Sequence, residues 1–497
     1  MTIHATVEYA TRPTVTTIDR TDYPLQDVDF PGIAICELNK ISLSAAKKVA
    51  REIFENYDSV NDNVSLQEIL DMLKYLGHLY LFELNEGEEN GVEFLHNLLT
   101  QRYESYAPRI LNQITPNCQS MLKRCSWAGK EQTCEDIFYP RKTADGYCCT
   151  FNYGRPSDDF GASSNDKDIV TIDGIERAIG VGLQAGLRIS LYSNFTDYFY
   201  KTLPVLGFKV LIFSPLDFPD TSSGSLHEVI ISPQTESSLT LEATSFYSVP
   251  EVQHHSVEIR DCLFKDELAV TFGGHYSYSD CIMYCRISDI LSHCNCVPYF
   301  YPIPLDKEHV RTCNLKDLSC LKKYRNRWWR VIPRIENRME PFNENFSTGP
   351  DGYLNCTGCL PACEDIVYGF SLSSAPLLIS EGDDTWGHGG CINSKQSTNH
   401  SIVNIFFQNP GTVRLKQDVI FYWWELMSNY GGICGFFLGV SLISVFELIY
   451  FFTMRLYKRK DEVTNGRKSS NFTLVKAVRP SLRPLYWEEM MQPYGKY

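Results

Sequence analysis

Trp423-Trp424-Glu425-Leu426-Met427-Ser428-Asn429-Tyr430-Gly431-Gly432-Ile433-Cys434-Gly435-Phe436-Phe437-Leu438-Gly439-Val440-Ser441 opens an apolar run that continues to Met454. Gly431 to Met454 is 24 residues with one ionisable group, Glu447. About 20 apolar residues suffice for a membrane-crossing helix, so the run is expected to span a bilayer over 421–454. A plain single-pass anchor would need nothing more. Two features point further. Small residues recur at Ser428, Gly431, Gly432, Gly435 and Gly439, a spacing that lets helices pack closely or leaves room around a pore. Glu447 places a carboxyl group inside the span, where it must face protein or water rather than lipid.

The flanks give a topology. The chain carries a net charge of −14, of which the tail 455–497 contributes +6 and the remainder −20. Arg455, Lys458, Arg459 and Lys460 follow the span directly, so the tail 455–497 is expected in the cytoplasm and everything before the span outside. Eighteen cysteines, 17 of them ahead of the span, agree with an oxidising compartment. So do the sequons at Asn63, Asn194, Asn345, Asn355 and Asn399, each a candidate glycosylation site. Asn471 lies after the span and is expected to stay unmodified. The segment 1–23 holds neither a signal peptide nor a second apolar span. An ectodomain this large is not readily exported by a lone span at its far end, so a further membrane segment is expected upstream.

Catalytic patterns are missing. There is no His-Glu-x-x-His, and Gly439-Val440-Ser441 lacks the second glycine of a nucleophile elbow. His254-His255 reads as a solvated loop pair. Gly180-Val181-Gly182 has neither the third glycine nor the Lys-Ser/Thr of a phosphate loop. No enzyme activity, cofactor, metal or nucleic-acid partner is expected.

Ahead of the span the chain divides by pattern. Residues 1–22 read as an extended, Thr-rich linker. Phe30-Pro31-Gly32-Ile33-Ala34-Ile35-Cys36-Glu37-Leu38-Asn39-Lys40 predicts a buried strand within 23–41. Over 42–117 three helices are predicted. Leu43, Ala46, Ala50, Ile53 and Tyr57 form one apolar face. Ser65 and Glu68 make a capping box before a second helix with Leu66, Ile69, Leu70 and Leu73 inward, and a third covers Val92 to Tyr103. Residues 118–261 begin with Cys118, Cys125, Cys134, Cys148 and Cys149 and continue as strands. Residues 262–363 hold ten cysteines, with Cys281 and Cys285 at i, i+4 on one predicted helix. Spacing alone does not choose their connectivity. Cys294-x-Cys296 and Cys356-x2-Cys359 also match zinc-ligand pairs, but the topology places them outside the cell, where disulfides form. Residues 364–420 return to strands around the turn phrase Asn409-Pro410-Gly411. Cys391 is left without a partner, and Cys434, near the start of the span, is expected to be reduced.

The phrases Gly431-Gly432, Gly439-Val440-Ser441 and Phe446-Glu447-Leu448 resemble the second transmembrane segment of the degenerin/epithelial sodium channel family. Phe30 to Asn39 resembles the phrase that follows that family's first membrane helix. Gly146-Tyr147-Cys148-Cys149-Thr150-Phe151-Asn152 is similar to another family marker, and Arg12 to Ile18 is like the arthropod pickpocket subgroup. The resemblance implies an α+β membrane protein. Its large disulfide-rich extracellular domain would comprise palm, finger, thumb and β-ball-like parts, followed by the C-terminal transmembrane pore helix. The chain would start just after the first membrane helix, without the cytoplasmic His-Gly motif.

By the same resemblance Cys36 pairs with Cys148 and Cys125 with Cys134; Cys118 with Cys149 is an assignment of our own that the resemblance does not supply. A nested thumb ladder is implied: Cys262–Cys363, Cys281–Cys359, Cys285–Cys356, Cys294–Cys320 and Cys296–Cys313. The family's last cysteine cluster is usually tighter than Cys356-x2-Cys359. The implied function is a subunit of a trimeric, amiloride-blocked, sodium-selective channel of the plasma membrane. It would assemble with itself or with related subunits, and neither its extracellular ligand nor any mechanical tether is legible. Gly439, Val440 and Ser441 would form the selectivity constriction for the permeant sodium ion. Ser428 would sit at the gate, with Asn429 in place of a usual acidic residue that helps hold calcium at the mouth, and Glu447 would face the inner pore or a neighbouring helix. The rival is a non-conducting cysteine-rich receptor or regulatory fragment on a single anchor. The tail has no Pro-Pro-x-Tyr docking motif.

Overall fold

The computed structural model describes residues 13–55, 64–101, 105–155, 174–221, 224, 226–267, 276–304, 310–332, 352–377, 399–439 and 441–455. It separates into two compact units that meet in the chain between residues 420 and 421.

In the larger unit β1 (Thr14–Pro24), β2 (Gly32–Glu37) and β3 (Asn39–Ser42) lead into a helical stretch: α1 (Leu43–Glu55), α2 (Leu66–Met72), α3 (His78–Leu81), α4 (Glu89–Thr100) and α5 (Tyr106–Ile114). Then come β4 (Leu122–Trp127), β5 (Lys130–Gln132), β6 (Tyr139–Thr143), β7 (Gly146–Phe151), β8 (Leu187–Tyr192), β9 (Tyr198–Lys201), β10 (Phe208–Phe213), β11 (His227–Ile231) and β12 (Thr235–Ser248). Helices α6 (Tyr278–Cys294) and α7 (Leu318–Trp328) follow, then β13 (Val331–Ile332), β14 (Leu354–Asn355), β15 (Glu364–Pro376), β16 (His400–Phe407) and β17 (Gly411–Val419). The result is a mixed α/β, disulfide-rich domain.

Two sheets carry it. The larger runs β1-β17-β12-β16-β8-β4-β5, with β15 on the other edge of β12; the smaller runs β11-β10-β2-β7-β6. Alternation along the strands decides how they pack. Ile33, Ile35, Phe208, Val210 and Ile212 turn one way, into a core shared with Leu187, Ile189, Leu191, Leu241 and Val403 of the large sheet. Ala34, Cys36, Leu211 and Phe213 turn the other way into a second small core. A side-chain period of two thus buries both faces of β2 and β10.

Several expectations need correction. Residues 14–22, expected as part of a linker, belong to an edge strand, Thr14–Pro24, paired antiparallel with β17, Thr14 opposite Val419. Its β-branched Thr-Val-Thr-Thr-Ile run favours a pleated strand. The single strand expected within 23–41 is divided among the end of β1, β2 and β3. Among its described residues the helical stretch contains five helices rather than three. In α2, Ile69 and Leu70 are buried, but Leu66 is 38% exposed, because it is the first helical residue after the cap at Ser65. The capping box itself forms, with Glu68 N–H donating to Ser65 Oγ at 3.2 Å and Ser65 N–H to Glu68 Oε2 at 2.7 Å. The phrase Asn409-Pro410-Gly411 does not reverse the chain: β16 and β17 both run parallel to β12, one after the other.

A second core gathers α1, α2, α4 and α5 against α6 and α7, with Ile110, Ile287, Leu321 and Trp328 fully enclosed. It also takes in a charge. Arg286 sits among the buried residues of α6 and pairs with Asp220, both side chains 1% exposed. Its Nη1 donates to both Asp220 oxygens, at 2.8 and 2.7 Å, and to the Tyr301 hydroxyl, while Nε donates to the Trp328 carbonyl. Removing one partner of such a pair strands the other charge in a low-dielectric interior. Asp220→Asn is therefore expected to destabilise the folded protein by roughly 3–5 kcal/mol, and a joint apolar replacement of Arg286 and Asp220 to recover most of it. Thermal melts of the purified variants check both.

Candidate functional site

The smaller unit contains the apolar run. It forms α8 (Trp423–Leu438), then α9 (Leu442–Tyr450), then a π-helical turn, Phe451–Arg455. The single pore helix expected over 421–454 is thus interrupted. At 1.5 Å per residue the two helices are about 24 and about 14 Å long, each short of the roughly 30 Å hydrocarbon core. Among the described residues no helix is long and apolar enough to cross a membrane.

The interruption has a local cause. Gly439 adopts φ +63°, the left-handed conformation that ends helices and that glycine adopts without steric cost. Its N–H donates to the Gly435 carbonyl at 3.1 Å. Two residues on, Ser441 caps the next helix: Ser444 N–H donates to its hydroxyl at 3.3 Å, and its own N–H donates to Ser444 Oγ at 3.4 Å. A stop signal and a start signal stand back to back. The break leaves the last carbonyls of α8 and the first N–H groups of α9 without the usual intrahelical partners.

Ser428, Asn429, Gly431, Gly432 and Gly435 all lie exposed on α8, and Glu447 is exposed on α9. A Cβ added at Gly431, Gly432 or Gly439 would meet nothing within 4 Å. Trp423, Met427, Phe436, Phe437, Ile443 and Phe446 are exposed as well, Phe436 to 83%. A helix apolar on every side is stable only against lipid or other helices. Val440 lies outside the described residues, as do Cys391, Asn63 and Asn345.

In the larger unit every assigned cysteine pair is brought together. Cys36–Cys148, Cys118–Cys149 and Cys125–Cys134 brace the sheets. Cys262–Cys363, Cys281–Cys359, Cys285–Cys356, Cys294–Cys320 and Cys296–Cys313 nest one inside the next along α6 and α7. Spent in disulfides, these ten sulfurs offer no thiolate to zinc. Asn194 and Asn355 are exposed and Asn399 half-buried.

Sequence reasoning missed the ionisable groups where α6 meets the sheets. Arg155 pairs with Asp280 at the start of α6. Beside them Asp217, after β10, is buried, and its carboxyl is pushed up to about 8, first by burial and then by the nearby Asp365 and Asp280. Burial also raises Asp365. The one signal for such a cluster was an aspartate in the Phe-Pro-rich phrase Leu216-Asp217-Phe218-Pro219-Asp220.

A family profile described as amiloride-sensitive sodium channel matches residues 1–451, and the chain belongs to that family. It is similar to Pickpocket protein 28 of Drosophila melanogaster, 24% identical with 91% of this chain and 71% of that protein covered. It is similar also to Sodium channel protein Nach of Drosophila ananassae, 24% identical over 91% of this chain and 78% of that protein. Degenerin del-1 of Caenorhabditis elegans is 24% identical over 67% of this chain and 44% of its own length. Members of this degenerin/epithelial sodium channel family are plasma-membrane ion channels, not enzymes, and assemble from related subunits.

Asp217 yields a pH prediction. Its folded-state carboxyl binds a proton more tightly than the unfolded one, so stability falls as pH rises from about 4 to about 8 and levels off above. Asp217→Asn is expected to raise the melting temperature relative to the parent by roughly 2–4 °C above that range, with the gap closing towards acid pH. A melting series across pH checks it.

Proposed function

We propose that the chain is a subunit of a trimeric, amiloride-sensitive, sodium-selective cation channel opened by an extracellular stimulus. The observation that carries this reading is the helix interruption at Gly439–Ser441. Within a bilayer, non-helical backbone is tolerated only where it is buried in protein or lines a water-filled path, because its polar groups must find partners. Three such breaks around one axis would present carbonyl oxygens and the Ser441 hydroxyl to a passing cation, replacing part of its hydration shell. Together α8 and α9, with the residues between them, would cross the membrane as an interrupted pore helix, and the tail 455–497 would be cytoplasmic.

The other site residues take their places in this reading. The stripe of Ser428, Gly431, Gly432 and Gly435 gives the three copies of α8 a face on which to approach one another. Ser428 is the closing contact and Asn429 lies at the mouth. Val440 belongs to the constriction, and Glu447 faces the inner pore or a neighbouring helix. The sheets act as palm and β-ball, α1–α5 as finger, and α6 with α7 as a thumb stiffened by its disulfides. Asn194, Asn355 and Asn399, with Asn63 and Asn345, would carry glycans on the extracellular surface.

Expression at the cell surface, alone and with related subunits, is expected to give a sodium current blocked by amiloride. Ser428→Val should raise the resting current several-fold, since a larger side chain holds the closing contact apart. Ser441→Cys should make the current sensitive to cadmium, a thiolate-seeking ion. Surface protein without current in any combination would favour the non-conducting reading instead, and an unchanged resting current in Ser428→Val would count against the pore assignment.

A further inference from the structure

An open cavity of about 250 Å3 lies among the end of β2, the start of β3, the loop after α5, and β7. That is the volume of roughly eight water molecules. The disulfides Cys36–Cys148 and Cys118–Cys149 contribute to its wall, so its shape is covalently braced. Pro140 and Tyr147 supply apolar surface, with the buried Ile35 and Met121 behind them, and the amides of Asn112 and Gln113 stand at an exposed rim.

The cavity is lined by one acid, Glu37, and one base, Lys40. The base is already matched. Lys40 Nζ lies 2.6 Å from Asp145, which also takes Lys209 at 3.1 Å, and Lys209 reaches Glu228 at 3.6 Å. Glu37 is not. Its Oε1 accepts from the Ser193 hydroxyl at 3.1 Å, and among the described residues it forms no ion pair. Asp197, the other acid near it, is held by Ser44 N–H at 2.7 Å and by the Ser42 hydroxyl.

A partly buried carboxylate beside a cavity, without an ion pair among the described residues and with the nearby Lys40 held by Asp145, leaves room for a cation from outside. A metal ion would need several oxygen ligands and fills a small part of this volume. The apolar wall and the Tyr147 ring suit an organic group, and an aromatic face also attracts ammonium. We propose that this cavity binds a small organic ammonium compound, its charged nitrogen against Glu37 and its carbon skeleton along Pro140 and Tyr147.

Protonation supports the assignment. Burial pushes the Glu37 carboxyl up to about 7, with Asp197 adding to the shift and the Ser193 hydroxyl, Lys40 and the Tyr198 hydroxyl opposing it. The empty site holds a proton at acid pH and exchanges it for the ligand's charge above neutrality. Affinity for an ammonium compound therefore rises with pH through this range.

Binding is read without current, so its outcome is separate from that of the channel reading. The full-length protein in detergent is titrated with phenethylammonium chloride, with 2-phenylethanol as the uncharged control. The amine is expected to bind at about pH 8.5, at least roughly tenfold more weakly at about pH 5.5, and more tightly than the alcohol at the higher pH. Glu37→Gln should cost roughly tenfold at the higher pH and remove the pH dependence. Asn112→Trp, at the exposed rim, should block access while leaving Glu37 and the buried wall in place. Absence of amine binding to the unmodified protein at the higher pH overturns the proposal. So does equal binding of amine and alcohol, or amine binding that neither substitution alters.

Discussion

The strand β12 has more hydrogen-bonded neighbours than any other, and the arrangement of the large sheet depends on it. Along one edge it pairs antiparallel with β15 from Thr235 to Tyr247. Its other edge is divided: residues 236–241 pair with β16 and residues 244–248 with β17, both parallel. The 14 residues of this strand therefore align the segment that follows Cys363 with the two strands that precede the apolar run. The division forces the chain from β16 to β17 to step sideways without turning back, which is the task of Asn409-Pro410-Gly411. Leu25 N–H donates to the Pro410 carbonyl at 3.3 Å and ties that step to the end of β1.

From this strand the contacts run in two directions. Towards the disulfide ladder, the Ser248 hydroxyl lies 2.6 Å from Gln417 Oε1 and 3.0 Å from the Cys363 carbonyl, so one side chain touches β17 and the outermost disulfide. Gln417 passes the link on by donating to the Arg260 carbonyl. Towards the chain start, Arg414 of β17 lies 4.5 Å from the Tyr23 ring of β1 and 4.0 Å from the Tyr247 ring of β12. A guanidinium stacked on two aromatic faces joins three strands where backbone pairing alone would leave β1 a weak edge. The contacts of Ser248 and Gln417 join the disulfide ladder to β17, the strand directly before the apolar run in the chain.

Much of this was legible, for reasons that differ from element to element. The capping box at Ser65 is a local signal, and local chemistry realises it. Except for Cys118–Cys149, the cysteine pairs were open to resemblance but not to spacing, because pairing is a property of the folded path. Apolar content over 421–454 predicted one continuous helix and was blind to its interruption: hydropathy averages over Gly439 and Ser441, whereas a left-handed glycine and a serine cap act residue by residue. Both signals stand in the sequence, where the same residues suggest a filter before they suggest a helix stop and start. Arg286 and Asp220 lie 66 residues apart, and nothing local marks them as partners except an arginine set among Ile282, Met283, Ile287 and Ile290. Glu37 carried no signal, since what sets it apart is that the nearby Lys40 is engaged by Asp145, a partner 105 residues away.

The nesting of the five disulfides has a consequence for chain integrity. Three of them, Cys262–Cys363, Cys281–Cys359 and Cys285–Cys356, connect residues before Cys320 with residues after it. A peptide bond cut anywhere between Cys320 and Cys356 would sever the backbone without separating the two pieces. The severed ends would gain freedom while α6 stayed fastened to the segment leading into β15. Such a molecule would keep its mass on a non-reducing gel and reveal the cut only after reduction. A chain cut there would therefore remain, covalently, one body.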